Sequence, residues 1–325
     1  MKSRFLLALI IASSSVAASE RSTVTFALDN DGIFGVDQDY TNGLFLSYTS
    51  GAINTPWILT PLSLSAWGAT SLDKFEFTLG HKMWTPNDIE SFDPVAYDRP
   101  YAGYFHGEFN FISLHPQQAQ RFNLTLGTVG ENSFASQAQK LVHSITGSDD
   151  PNGWEYQVDE GFVANAGYLS HFNLGRHNSF GSTELEFSNI SEGNIGGFRS
   201  DLSTGMMFRW GTDLSGNMGA ANISTENPFR PGMIGASKAA WFLFTGIEGR
   251  YRFNDITIEG ERPNLSNPEE YPSTLENWQS SAVWGAVWYN QYVGASFTLT
   301  AKTPDYKEAP ESIYGTGALS LFAFF

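Results

Sequence analysis

Apolar and polar residues alternate along much of the chain. From Arg121 to Gly130, Phe122, Leu124 and Leu126 take one face while Asn123, Thr125 and Gly127 take the other. From Gly294 to Ala301, Ala295, Phe297, Leu299 and Ala301 alternate with Ser296, Thr298 and Thr300. Between Ser182 and Ile190, Leu185 and Phe187 face away from Glu184, Glu186 and Ser188. A period of two with one polar face describes either a water-facing antiparallel sheet or a membrane barrel.

Two features select the barrel. The chain closes on Gly317-Ala318-Leu319-Ser320-Leu321-Phe322-Ala323-Phe324-Phe325, small or apolar at every second position counted back from a terminal Phe. A soluble sheet has no reason to finish on exposed Phe. The pattern also predicts twelve strands, at 22–30, 41–51, 72–84, 101–113, 120–130, 158–172, 178–190, 198–211, 239–260, 279–289, 291–302 and 313–325. Most reach the roughly 9–11 residues that a tilted strand needs to cross hydrocarbon, and an even number suits single-chain bacterial barrels. Trp210, Trp241, Trp284, Trp288, Tyr251 and Tyr292 are read as lying toward strand ends, where interfacial aromatics sit. The expected fold is all-β, a twelve-stranded antiparallel transmembrane barrel.

The N-terminus differs from the rest. Lys2 and Arg4 precede the apolar run Phe5 to Ala12, and Ser13 to Ala18 supplies small residues. An eight-residue helix is only about 12 Å long, too short to span a bilayer. Residues 1–18 therefore read as an export signal, cut after Ala18 or after Ala17, and 19–325 as one barrel domain. With the N-terminus periplasmic, the outward loops fall at 31–40, 85–100, 131–157, 191–197, 261–278 and 303–312. His115 to Ala119 and Asn173 to His177 become short periplasmic turns. The stretches 52–71 and 212–238 are long for such turns and are expected to hold a short helix or to misplace a strand end.

Composition narrows the function. The 325 residues carry 18 Lys+Arg against 34 Asp+Glu, a net charge of −16, which removes the basic footprint that nucleic-acid binding needs. The absence of cysteine excludes disulfides, a thiol nucleophile and Cys-based metal sites. Residues 29–40, 85–100, 147–160 and 261–278 hold 17 of the acids and only Arg99 and Arg262 as bases. On this topology the acidity lies at the outward rim, which calls for divalent cations wherever that rim meets an anionic lipid.

Chemistry is expected in the outward loops, since a rigid wall leaves function to them. No Gly-x-Ser-x-Gly elbow, His-Glu-x-x-His motif or phosphate-cradling glycine loop is present. Asp29-Asn30-Asp31-Gly32 closes the first strand and Asp39-Tyr40-Thr41-Asn42-Gly43 opens the second, so a hairpin returns both to one rim. Ser136 to His143, followed by Ile145-Thr146-Gly147, reads as a short helix in an extracellular loop ending at Gly147. Gln139 and His143 share a face of it at i and i+4. Each feature also has a plain reading. Asn-Asp-Gly after a strand is ordinary turn chemistry, a lone loop histidine is ordinarily a surface residue, and Arg99 can simply pair with Asp98.

The combination is more specific than its parts. Asn30-Asp31, Asp39 to Gly43, Asp98-Arg99-Pro100-Tyr101-Ala102-Gly103, Gln139-x-x-x-His143, Gly153-Trp154-x-x-Gln157 and Thr303-x-Asp305-Tyr306, taken in order, resemble the lipid A 3′-O-deacylase family of Gram-negative outer membranes. That resemblance implies a twelve-stranded barrel with its active site at the outer rim, facing the outer leaflet, between the wall and a loop helix. It implies Ca²⁺-dependent hydrolysis of the 3′-linked acyloxyacyl group of lipid A by a monomer. His143 would activate water, with Asn30, Asp31 and Thr41 as further catalytic positions. Gln139, Tyr40 and Arg99 would bind substrate, and Asn30, Asp31 and Asp149 would ligate the metal. In one respect the chain departs from the family: the loop Asn87 to Pro94 is acidic, where a known member carries a Lys/Arg cluster suited to lipid A phosphate. An outer-membrane phospholipase and a non-enzymatic porin or adhesion barrel are the alternative readings.

Overall fold

A computed structural model describes residues 21–35, 38–147 and 151–325. The expected signal segment and Asp149 lie outside the described residues. Twelve strands form one closed antiparallel barrel. They are β1 (Thr23–Asn30), β2 (Asp39–Thr49), β3 (Leu72–Thr85), β4 (Ala102–His115), β5 (Gln118–Val129), β6 (Gly161–Asn178), β7 (Glu184–Gly196), β8 (Arg199–Gly211), β9 (Ala240–Asp255), β10 (Trp278–Tyr289), β11 (Val293–Lys302) and β12 (Tyr314–Phe324). Sequence neighbours pair throughout, and β1 closes the ring on β12 from Thr23↔Phe324 to Asn30↔Gly317. The helix expected between β5 and β6 is present as α1 (Ala135–Thr146), closed by Gly147 in the left-handed region at φ 75°.

The alternation sorts side chains between lumen and lipid. On β1, Val24, Phe26 and Leu28 are exposed while Thr23, Thr25, Ala27 and Asp29 are buried inside. On β3, Phe75, Phe77 and Leu79 face out and Lys74, Glu76 and Thr78 face in. The outer surface is thus an apolar belt around a polar interior, the arrangement of a barrel in a bilayer.

Three expectations about the connections change. The Asn173-to-His177 turn lies inside β6, which runs on to Asn178; the chain reverses instead at residues 179–183. A bulge between Asn173 and Gly175 absorbs the extra residue, and Asn and Gly there serve a bulge as readily as a turn. The outward loop read at 191–197 shrinks to Gly197-Phe198, because β7 continues to Gly196. Trp284, expected near an end, sits in the middle of β10, exposed on the lipid face.

The two long stretches at the rim shared by the chain ends hold short 3₁₀ turns, at Thr60–Leu62 and Leu64–Trp67 in the first and Pro231–Met233 in the second. Residues 212–238 run into the lumen and plug it, leaving a polar cavity of about 120 Å³ beside Glu108, Arg121 and Glu226. Ala220, Ala221, Ile223, Phe229, Met233 and Ile234 pack against lumen-facing Ile112, Met207, Phe242, Phe244 and Val283. Above this apolar floor the plug is bound by charge. Glu226 meets Lys82 at 2.6 Å and Arg199 at 2.8 Å, and Arg230 meets Glu108 at 2.9 Å and Glu76 at 3.3 Å. The Asn227 amide donates to Asp29 at 2.7 Å. Lys74 donates to the carbonyls of Gly232 and Ile234. Gly232 is required by close approach, since a Cβ there would lie 2.1 Å from Thr49 Oγ1 and 2.3 Å from Glu76 Oε2.

Removing one member of a buried ion pair leaves the other uncompensated, at a cost of about 3–5 kcal/mol. Arg230→Ala is therefore expected to lower the denaturant midpoint of the reconstituted barrel and to raise its ion conductance in planar bilayers. Unchanged stability and conductance would show that the plug is held by its apolar floor alone.

Candidate active site on the outer wall

The opposite rim carries the predicted site residues, and strand register decides which of them meet. Asn30 pairs with Asn42, Asn42 with Met83, and Met83 with Gly103. Asn30 continues the outward parity of Leu28, and Gly103 that of Phe105. One row therefore crosses the outer face of β1 to β4. A bulge between Tyr40 and Asn42 makes Thr41 the extra residue of β2. Its hydroxyl is aimed at Thr85, Oγ to Oγ 2.6 Å, beside that row. Bulges re-aim side chains in this way next to functional sites.

Helix α1 packs over the β3–β4 end of this row. Gly103 permits it, because a Cβ there would stand 2.0 Å from Ser133 Oγ and 2.4 Å from Ala135 Cβ. From that anchor α1 packs on β4 and β3. Its buried side presents Ala135, Gln139 and His143, at i, i+4 and i+8, while Leu141, Val142 and Ile145 are exposed. Gln139 and His143 thus share the buried face of the helix, as expected. Met83, Tyr101, Ala135 and Trp154 form the cluster beneath the helix. Trp154 packs tilted against Tyr101 at 4.4 Å between ring centroids and donates from Nε1 to Gln139 Oε1 at 2.7 Å. His81, facing out on β3, bonds the Ser133 carbonyl at 3.0 Å.

Asn30 and Asp31 occupy the turn that follows β1. Asn30 accepts from the Gly32 amide at 2.8 Å and donates to the Thr41 carbonyl at 3.3 Å. The Asp31 carboxylate is buried, and its Oδ2 accepts from the Gln38 amide at 2.6 Å. The residues singled out as site candidates are thus also the ones that build the turn. A buried carboxylate beside an amide oxygen is the hard-oxygen donor type that Ca²⁺ takes. Among the described residues no group of three or more acidic or histidine side chains could hold an ion. This donor set therefore fits a calcium site only when backbone, water, Asp149 or substrate oxygens complete it.

Tyr40 and Arg99 are placed differently from expectation. Tyr40 points into the lumen, packs on Trp84 at 5.5 Å and donates its hydroxyl to Asp29 at 2.9 Å. A lipid on the outer wall has no route to it. Arg99 is buried at the mouth of the barrel, bonded to Asp39, 3.7 Å from Asp305 and 3.2 Å from Thr257 Oγ1. Its pairing with Asp98 is through the backbone amide only, at 2.8 Å. Asp98 instead accepts from Tyr306 OH at 2.8 Å and Asn87 Nδ2 at 2.7 Å. Lys302 and Arg252 complete the network, on Asp39 at 2.6 Å and Asp305 at 3.1 Å. Asp39 adopts φ 62°, a backbone region uncommon outside glycine, with Arg99 and Lys302 on its carboxylate. These contacts tie β2, β9, β11 and the loops 86–101 and 303–313 into one cap. Motifs that looked like separate site elements are the cap's fastenings.

Burial alone would raise the Asp305 carboxyl, but Lys302, Arg252 and Arg99 outweigh it and hold its pKa below the ordinary value of 3.8. Not all of the loop acidity is solvent-facing. Asp29, Asp31, Asp39 and Asp98 are buried with partners, whereas Asp88, Glu90, Asp93, Glu269 and Glu270 are exposed. Sequence reading missed Met83, Thr85 and Ser133, and had Gly103 only as the last residue of a motif. Each matters through a partner distant in the chain.

Two outcomes follow. Gly103→Val is expected to lift α1 off the wall, abolishing activity while the folded barrel keeps its heat-modifiable migration; retained activity would dissociate helix docking from function. A depressed carboxyl stabilises the fold above its unfolded pKa and loses that contribution as pH falls toward its folded value. Loosening of the cap is thus expected to begin below pH about 3.8 and to be absent in Asp305→Asn, as read by limited proteolysis of the loops across pH.

No curated protein matches the chain by sequence. Among solved structures it is similar to LpxR from Salmonella typhimurium, 18% identical, covering 93% of this chain and 100% of that one at a TM-score of 0.78. It is also similar to the beta domain of the Bordetella autotransporter BrkA, 7% identical, covering 94% and 97% at a TM-score of 0.44. The model of the family described as outer membrane protein LpxR matches residues 5–325. The chain belongs to that family, the lipid A 3′-O-deacylase family its motifs resemble.

Proposed function

We propose that this protein is an outer-membrane esterase that hydrolyses the 3′-linked acyloxyacyl group of lipid A, with the site facing the outer leaflet. The observation that carries the reading is the outward row Asn30–Asn42–Met83–Gly103 with Thr41 beside it, packed at its β3–β4 end by a helix whose buried side bears Gln139 and His143. A site on the outside of the wall can receive a lipid that never leaves its leaflet. Adjacent strands stand about 4.8 Å apart, so the row spans roughly 14 Å. His143 is eight residues beyond Ala135, about 12 Å along the helix. A helix anchored at Gly103 and crossing β3 thus has the reach to bring His143 toward Thr41 and Asn30.

In the reaction, neutral His143 accepts a proton from water as the water oxygen attacks the ester carbonyl, then returns it to the departing alkoxide. Thr41 orients the water or the ester. Gln139, whose carbonyl is held by Trp154, keeps that face of the helix fixed. Asn30 and Asp31, with Asp149, are the residues that would hold Ca²⁺. When bound, the cation supplies electrostatic stabilisation of the developing oxyanion. Tyr40 and Arg99 act by positioning, through the lumen and the cap. The lumen plug argues against a diffusion porin.

Mass spectrometry of lipid A from cells with and without the protein tests the reading. Loss of one 3′ acyloxyacyl unit is expected. Release of lysophospholipid would indicate a phospholipase instead, and no change a non-enzymatic barrel. His143→Ala, in barrels verified as folded, should lose about 10²–10⁴-fold in rate, the usual contribution of a general base. Asp31→Ala and chelation of Ca²⁺ should each abolish turnover. Full activity in either variant would overturn the assignment.

A further inference from the structure

The connection between β2 and β3 does not hang from the rim as a turn. It folds back onto the outside of the wall. The outward face there is polar at one level: Asp73 pairs with Ser113, Ser113 with Gln120, and Gln120 with Ser170. Higher on the same strands, outward positions are the apolar Phe75, Phe77, Phe105, Phe109, Leu124 and Leu126. A polar row on a lipid-facing wall needs a cover, because hydrocarbon cannot satisfy it.

Residues 51–71 are that cover. Ser113 donates to Asp73 at 2.6 Å and accepts from the Leu64 amide at 3.0 Å. Thr55 donates to the Asp73 carboxylate, and Ser71 does so at 3.0 Å. The Ile53 amide donates to the Asp73 carbonyl at 2.9 Å, and Gln120 donates to the Leu62 carbonyl. Asp73, Ser113, Gln120 and the outward Phe111 are buried as a result. The opposite side of the same segment is apolar and bare. Trp57 is 85% exposed, Trp67 81% and Ile58 65%. No Asp, Glu, Lys or Arg occurs between Ser50 and Leu72.

We propose that segment 51–71 is a lipid-binding annex of the wall, seating Trp57, Ile58 and Trp67 in the head-group and acyl boundary of the leaflet at this rim. In the orientation given above, this is the periplasmic leaflet. The occupant is a phospholipid surface, because the patch is continuous with the apolar belt of the barrel and held against its outside. Tryptophan is the residue type that favours that depth. The absence of charge makes the contact indifferent to head-group charge. The annex fixes the depth of the β2–β4 sector, whose far rim carries the proposed active site.

The chain has no cysteine, so Trp57→Cys, Trp67→Cys and Ile58→Cys each give one labelling site. Each full-length variant is labelled with a polarity-sensitive fluorophore and reconstituted in phosphatidylcholine vesicles with iodide on both sides. Leu46→Cys on the lipid-facing wall and Glu269→Cys on the exposed opposite loop are the references, and heat-modifiable migration verifies folding. The expected result is quenching by head-group-proximal nitroxide lipid at least twofold stronger than at Glu269→Cys, with weak quenching by iodide. The same result is expected when a third of the lipid is phosphatidylglycerol. Iodide quenching equal to that of Glu269→Cys, with no response to nitroxide lipid, overturns the proposal. So does lipid quenching that appears only with the anionic lipid.

Discussion

Ring closure is the constraint on which everything else depends. A strand in hydrocarbon must satisfy its backbone polar groups within the protein, and a sheet does so only without edges. Pairing of β1 with β12 removes the last edge. Once the ring is closed, the two-residue period fixes each side chain inside or outside with no third option. The interior then collects Lys74, Glu76, Glu108, Arg121, Glu186 and Arg209, all buried, and the half-buried Lys82. Such charges are tolerable only when paired. The plug formed by 212–238 supplies Glu226, Arg230 and a run of backbone carbonyls to pair them.

The same parity rule explains why the two interesting regions lie where the wall breaks it. At both rims of the β2–β5 sector, outward positions turn polar or small, and in both cases non-strand chain covers them. At one rim, α1 and the turn before it cover Met83 and Gly103; at the other, residues 51–71 cover Asp73, Ser113 and Gln120. A polar outward residue on a membrane barrel is expensive unless roofed, so each row implies a roof. The roof on one rim carries Gln139 and His143 on its inner side.

The acidic imbalance acquires two meanings. Part of it is structural, spent inside the cap where Asp39, Asp255 and Asp305 meet Arg99, Arg199, Arg252 and Lys302 and Asp98 accepts from Tyr306 and Asn87. The exposed remainder, including Asp88, Glu90 and Asp93, repels an anionic lipid unless divalent cations intervene.

The alternation of Phe122 to Gly127 and of Ala295 to Ala301 determined the fold class, the number of strands and nearly all their positions, because strand parity is local and hydrocarbon enforces it strictly. Asn30, Asp31, Thr41, Gln139 and His143 were legible as an ordered set of motifs, and a hairpin and a helical spacing brought them partly together. What the tertiary structure alone decided is register. Only the bulge at Thr41 turns that hydroxyl toward Thr85, and only pairing across four strands lines Asn30 up with Gly103. Only the closed ring shows that Tyr40 and Arg99 face inward, away from any lipid, and that two long connections fold into and onto the barrel. Sequence spacing reports neighbours along one strand; a wall's chemistry is set by neighbours across strands, which depend on closure of the whole ring.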